Sequence, residues 1–188
     1  MNESVIIIII HQLVYQGMFF AKNFILRRRL GRPIRGTNKE ASIFIGFFLI
    51  FLGLTFFEAF QIDGGIASSS TWDIAAYSLG MILMCASVLI ARASLKDLGD
   101  SWRVGVIEDQ RTTLIETGIY GISRNPYFVA YLLLFAAYTV FLQSLLLLIL
   151  SGIGFGLIHR LVRNEENYLS KQHGDTYQKY KKDVHRYL

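Results

Sequence analysis

Charge is missing from four long stretches of this 188-residue sequence. Residues 4–21, 74–91 and 125–158 hold no formally charged side chain, and residues 41–62 hold only Glu58. Their apolar residues lie in blocks, not at the spacing of a soluble core, which argues against a water-soluble domain. Cysteine is nearly absent. The lone Cys85 excludes an internal disulfide, and no cluster of ligand-type residues has metal-site spacing. Repeats and low-complexity tracts are absent, and no separable soluble domain remains. The net charge of +5 therefore has no compact basic surface on which to present itself to nucleic acid.

A bilayer core takes about 20 apolar residues per helix, with about 17 as the lower limit. The first three blocks supply one span each. The fourth is too long for one span and supplies two short ones, folded near Gln143-Ser144. The expected fold is all-α: an integral membrane bundle of five transmembrane helices, the last two a short hairpin. The spans fall at about 4–22, 41–61, 73–94, 126–142 and 145–163 within one membrane domain, 1–188. A cytoplasmic loop and a C-terminal helical tail complete it. The first block lacks a basic n-region and a small-residue cleavage site, so it reads as a retained helix and not a signal peptide.

Lys and Arg are absent from the N-terminus, the 62–73 loop and the tip near residue 143. All 19 lie in residues 22–39, 92–124 and 160–186. The positive-inside rule then places the N-terminus outside and the C-terminus in the cytoplasm. The segments that carry chemistry, 96–125 and 160–188, share that cytoplasmic face.

Asn125-Pro126 is a helix start, Asn as N-cap and Pro at the first helical position. The fourth span thus begins with free N–H groups at the boundary, an environment that favours an anion, and Arg124 adds a full positive charge. The paired acids Glu165-Glu166 follow the last span and suit an ammonium group or an arginine, with Arg160 and Arg163 as candidate partners. An anion site beside a cation site matches a zwitterionic amino-acid ligand, with Tyr120 and the glycine-containing loop closing over a ring. In the tail, Leu169, His173, Tyr177, Tyr180 and Val184 recur at helical spacing, with Gly174 as a kink or C-cap. His11 and Glu58 are polar groups inside spans, where such groups are costly.

The runs LGDSWR, TLIETGIYGISRNPYF and EENYLSKQHGDTYQKY together resemble the isoprenylcysteine carboxyl methyltransferase family, which is related to the membrane phospholipid N-methyltransferases. The resemblance covers about residues 95–188. It implies a membrane methyltransferase with S-adenosyl-L-methionine as donor and a lipophilic or lipid acceptor entering from the bilayer. Carried over by motif, the donor-binding residues are Thr112, Thr113, Leu114, Ile115, Tyr120, Arg124, Asn125, Pro126, Tyr127, Phe128 and Glu165. The residues assigned to acceptor and catalysis are Arg160, Arg163 and Glu166. Two departures stand out. Asn125 replaces the family's common histidine and cannot titrate near neutral pH. Leu161 stands where the family has its substrate-side arginine, which leaves open both the acceptor and the choice between O- and N-methylation. The competing classes are an NADPH-dependent membrane reductase and a non-catalytic membrane scaffold.

Overall fold

The computed structural model describes residues 3–31, 39–61, 71–103 and 113–187. Among the described residues the fold has five α-helices: α1 Glu3–Leu30, α2 Lys39–Gln61, α3 Thr71–Asp97, α4 Pro126–Leu142 and α5 Leu145–Asp183. Short 3-10 turns occupy Gly99–Ser101 and Gly118–Gly121, and no β-strand occurs among the described residues. By length and composition α1, α2, α3 and α5 are long and apolar enough to cross a membrane, while α4 is as apolar but has only 17 residues. The outer faces agree with that. Leu13, Phe20, Leu49, Leu89 and Leu145 are each 62–70% exposed, a surface suited to lipid and not to water. The chain is an integral membrane protein.

The bundle is tied together in two ways. First, backbones approach closely. A Cβ placed on Gly80 of α3 would lie 2.6 Å from the Cβ of Phe141 on α4, so only glycine permits this contact. Gly154 likewise faces Phe135, whereas Gly152 and Gly156 face open space. Second, a buried polar network joins three helices. His11 Nδ1 lies 2.6 Å from the Tyr138 hydroxyl and His11 Nε2 lies 3.0 Å from Ser87 Oγ. Gln12 Nε2 donates to the same Tyr138 oxygen at 2.7 Å. His11 is thus a satisfied interior group linking α1, α3 and α4, which is what a polar side chain in a non-aqueous medium requires.

The α4–α5 hairpin turns where the sequence changes character. Gln143 adopts a left-handed conformation (φ 49°, ψ 37°) and ends α4. Ser144 then caps α5, its Oγ accepting from Leu147 N at 3.2 Å. Near its far end α5 is broken at Gly174 (φ 52°, ψ −127°), so glycine there acts as a kink within the tail. Beyond the kink the chain folds back. Its last described residues run alongside Ser123, with a parallel bridge between Ser123 and His185.

Candidate functional site

A cavity of about 230 Å³ opens between α1, α2, α4, α5 and the segments flanking the 3-10 turns. One part of its wall is polar: Ser101, Arg103, Thr113, Tyr120, Asn125 and Glu165. The other is aromatic: Phe19 from α1, Phe44 and Phe48 from α2, Trp102, and Tyr127, Phe128 and Tyr131 from α4. Pro126 stands at the first position of α4 and fixes its start, so the first two turns deliver Tyr127, Phe128 and Tyr131 to the wall.

Asn125 sits at the N-cap position with φ −132° and ψ 51°, yet its side chain makes no capping bond. Its amide nitrogen is engaged elsewhere. Nδ2 donates to Glu166 Oε1 at 3.2 Å and to the Arg186 carbonyl at 3.1 Å. Glu166 is the centre of this cluster. Arg124 donates to Oε1 through Nη2 at 2.9 Å, and Arg186 donates to Oε2 through Nη2 at 2.8 Å. The Glu166 side chain is 4% exposed and that of Arg124 is 8%. Burial pushes the Glu166 carboxyl up, but the hydrogen bonds from Arg186 and Arg124 together outweigh it and hold it below the usual range. Arg124 Nη1 also donates to the carbonyls of Lys181 and Val184, and its N–H donates to the His185 carbonyl at 2.9 Å.

Glu165, one residue earlier, has a different setting. Its side chain is exposed and lines the cavity. Desolvation among the cavity's side chains, with the charge of Glu166 second, pushes the Glu165 carboxyl up to about 7. Adjacent residues on a helix point about 100° apart, so one glutamate faces the hollow while the next is locked behind it.

Tyr120 is held from both sides. Its carbonyl accepts from the Tyr180 hydroxyl at 2.6 Å, and the preceding Ile119 N–H donates to Asp97 Oδ2 at 2.9 Å. Burial first, then the nearby Glu165 charge, raises the Tyr120 phenol, which stays protonated. Of the tail stripe, Leu169 and Tyr180 reach the cavity wall, and Tyr177 is buried.

The sequence-derived site residues therefore divide. Thr113, Leu114, Ile115, Tyr120, Arg124, Asn125, Tyr127, Phe128 and Glu165 line one cavity. Thr112 lies outside the described residues. Pro126 and Glu166 are buried and are not among the lining residues. Neither are Arg160 and Arg163, both exposed, and Arg160 pairs with Glu40 at 3.8 Å. Of the two acids, Glu166 takes Arg124 and Arg186 as its partners, not Arg160 or Arg163. The reason is direction: the chain's return brings Arg186 onto the buried side of α5, while Arg160 and Arg163 project outward. Arg186 and the aromatic wall from α1 and α2 were not singled out from the sequence. Arg186 lies 20 residues beyond its partner, with no spacing rule to link them.

The model of the phospholipid methyltransferase family matches residues 75–176, more than half of the chain. No curated protein matches the chain.

Proposed function

The chain belongs to the phospholipid methyltransferase family and is a membrane methyltransferase of lipid-like substrates, and on that premise we propose how its site works. The donor is S-adenosyl-L-methionine, held between the ends of α4 and α5 and the tail. The carrying observation is that Asn125 and Glu165, on different helices, line one cavity with Tyr120 and Thr113–Ile115. The residues present fit the donor. Glu165 offers a carboxylate to its ammonium, Asn125 offers a polar amide edge, and the aromatic side chains offer faces for its base. When bound, the donor supplies an electrophilic methyl group on a sulfonium.

The chain's own residues do the rest. Glu165, Asn125 and Tyr120 hold one partner in place, and the wall formed by Phe44, Phe48, Tyr127 and Tyr131 seats the other. Holding both turns a two-body encounter into a one-body step, which supplies much of the rate. The apolar wall also excludes water and keeps the fixed dipoles effective. The acceptor enters laterally from the bilayer, the donor from the cytoplasm. Arg160 and Arg163 flank Leu161, which lines the cavity, and they meet the acceptor's headgroup at the membrane surface. The five helices each span the membrane, with the N-terminus outside and the site on the cytoplasmic face, as the distribution of Lys and Arg indicates.

The test is calorimetric titration of the purified protein in detergent with S-adenosylhomocysteine, beside NADPH. Binding of the first alone, weakened at least tenfold by Glu165→Gln, is expected. NADPH binding would favour a reductase, and binding of neither at millimolar ligand would remove the donor site.

A further inference from the structure

Among the residues that join the returning tail to the cavity wall, Arg186 reaches the Asn125 amide. Arg186 uses both of its functional groups on the site's support. Its guanidinium grips Glu166 through Nε, at 3.2 and 3.1 Å from the two carboxylate oxygens, and through Nη2, at 2.8 Å from Oε2. Its carbonyl accepts from Asn125 Nδ2 at 3.1 Å and from Ser123 Oγ at 3.3 Å. Ser123 Oγ in turn accepts from the Asn125 N–H at 3.2 Å.

An amide side chain has two N–H donors and one carbonyl acceptor. Both Nδ2 hydrogens of Asn125 are spent, one on Glu166 and one on the Arg186 carbonyl. The amide cannot turn over without losing both bonds and setting its oxygen against a carboxylate. The polar atom left for the cavity is therefore Oδ1. Without the Arg186 side chain Glu166 loses its second arginine, and the tie that holds the Arg186 carbonyl against Asn125 goes with it, so the amide is free to present either edge.

We propose that Arg186 is a positioning residue of the donor site: it fixes the Asn125 amide so that the cavity meets a hydrogen-bond acceptor and not a donor. This rests on the assignment of the cavity to the donor made above. The ligand groups it selects are N–H or O–H donors, such as an ammonium or a sugar hydroxyl. A ligand carbonyl or phosphate oxygen at the same place is disfavoured.

The experiment uses the full chain in detergent, with S-adenosylhomocysteine as probe. Arg186→Ala, Arg186→Lys, Asn125→Ala and the Arg186→Ala/Asn125→Ala pair are titrated well below each variant's melting temperature. Arg186→Ala is expected to weaken binding about tenfold, the scale of one lost hydrogen bond of this kind. Arg186→Lys, which keeps the charge, recovers part of that loss. Once Asn125 is alanine, removing Arg186 costs no further affinity, a result that general loosening of the fold would not give. If Arg186→Ala does not fold, the lysine variant carries the test, with a smaller loss that again vanishes in the Asn125→Ala background. Unchanged affinity with only a lowered melting temperature, or a loss that persists in that background, overturns the role of Arg186. Failure of the parent chain to bind the probe instead overturns the donor assignment on which it rests.

Discussion

Replacing Gly118 by alanine tests how the loop holds Tyr120. Gly118 has φ +64°, the left-handed region, and a Cβ there would lie 2.1 Å from Asp97 Oδ2. That oxygen also accepts the Ile119 N–H at 2.9 Å. The carboxylate sits at the end of a side chain and can swing away, so the clash itself is relieved. What is then lost is the bond. A hydrogen bond to a charged group contributes roughly 1.5–3 kcal/mol, and a non-glycine residue in the left-handed region costs about 1–2 kcal/mol. The two sum to roughly 2.5–5 kcal/mol. Asp97→Ala should cost the bond alone, roughly 1.5–3 kcal/mol. In the double variant only the backbone term remains to be added, so the two effects fall short of additivity by about the value of the bond. Denaturant titration in detergent micelles, followed by tryptophan fluorescence, measures all three. Strict additivity, or a Gly118→Ala cost under about 0.5 kcal/mol, the range of an indifferent surface change, would refute the reasoning.

Two further predictions follow from the site. The Glu165 carboxyl titrates at about 7, and its charged form is the one that holds a cation. Donor affinity should rise with pH and level off above 7; well below 7 it should fall about tenfold per pH unit. The folded ligand-free chain binds the extra proton between the ordinary carboxylate range and 7, so its own stability should decline as pH rises through that window. Titrations from pH 5.5 to 8 check the affinity, and a flat profile would detach Glu165 from the ligand. Asn125→His should retain donor binding within about threefold, a fraction of one hydrogen bond, while Asn125→Leu should lose at least tenfold. A neutral imidazole that donates one N–H to Glu166 turns a bare nitrogen to the cavity, the same polarity as Oδ1. Equal losses in the two variants would argue against that polarity.

Local signals carried the helices well. Asn125-Pro126 and Gln143-Ser144 mark the limits of α4, Pro126–Leu142, and the start of α5 at Leu145 because a start and a break are written in adjacent residues. The basic run Arg27-Arg28-Arg29 was less informative, since α1 continues through it to Leu30. Charge marks where a membrane ends, not where hydrogen-bonded turns stop. At the site, Tyr120, Asn125 and Glu165 were readable from motif spacing. The division of labour between Glu165 and Glu166 was not, because it depends on which face of α5 meets the returning chain. The aromatic wall was hidden for a related reason. Phe19, Phe44 and Phe48 lie in runs of similar residues, and only packing decides which of them face inward.

The tight connection at Gln143-Ser144 stands at the opposite end of the α4–α5 hairpin from the cavity, about 25 Å away at 1.5 Å per residue. It nevertheless governs the chemistry. One residue inserted there would slide one rod past its neighbour by about 1.5 Å and swing it about 100°, carrying Glu165 out of register with Asn125. A lesion on the far rim of the bundle can thus silence the pocket while touching none of the atoms that line it.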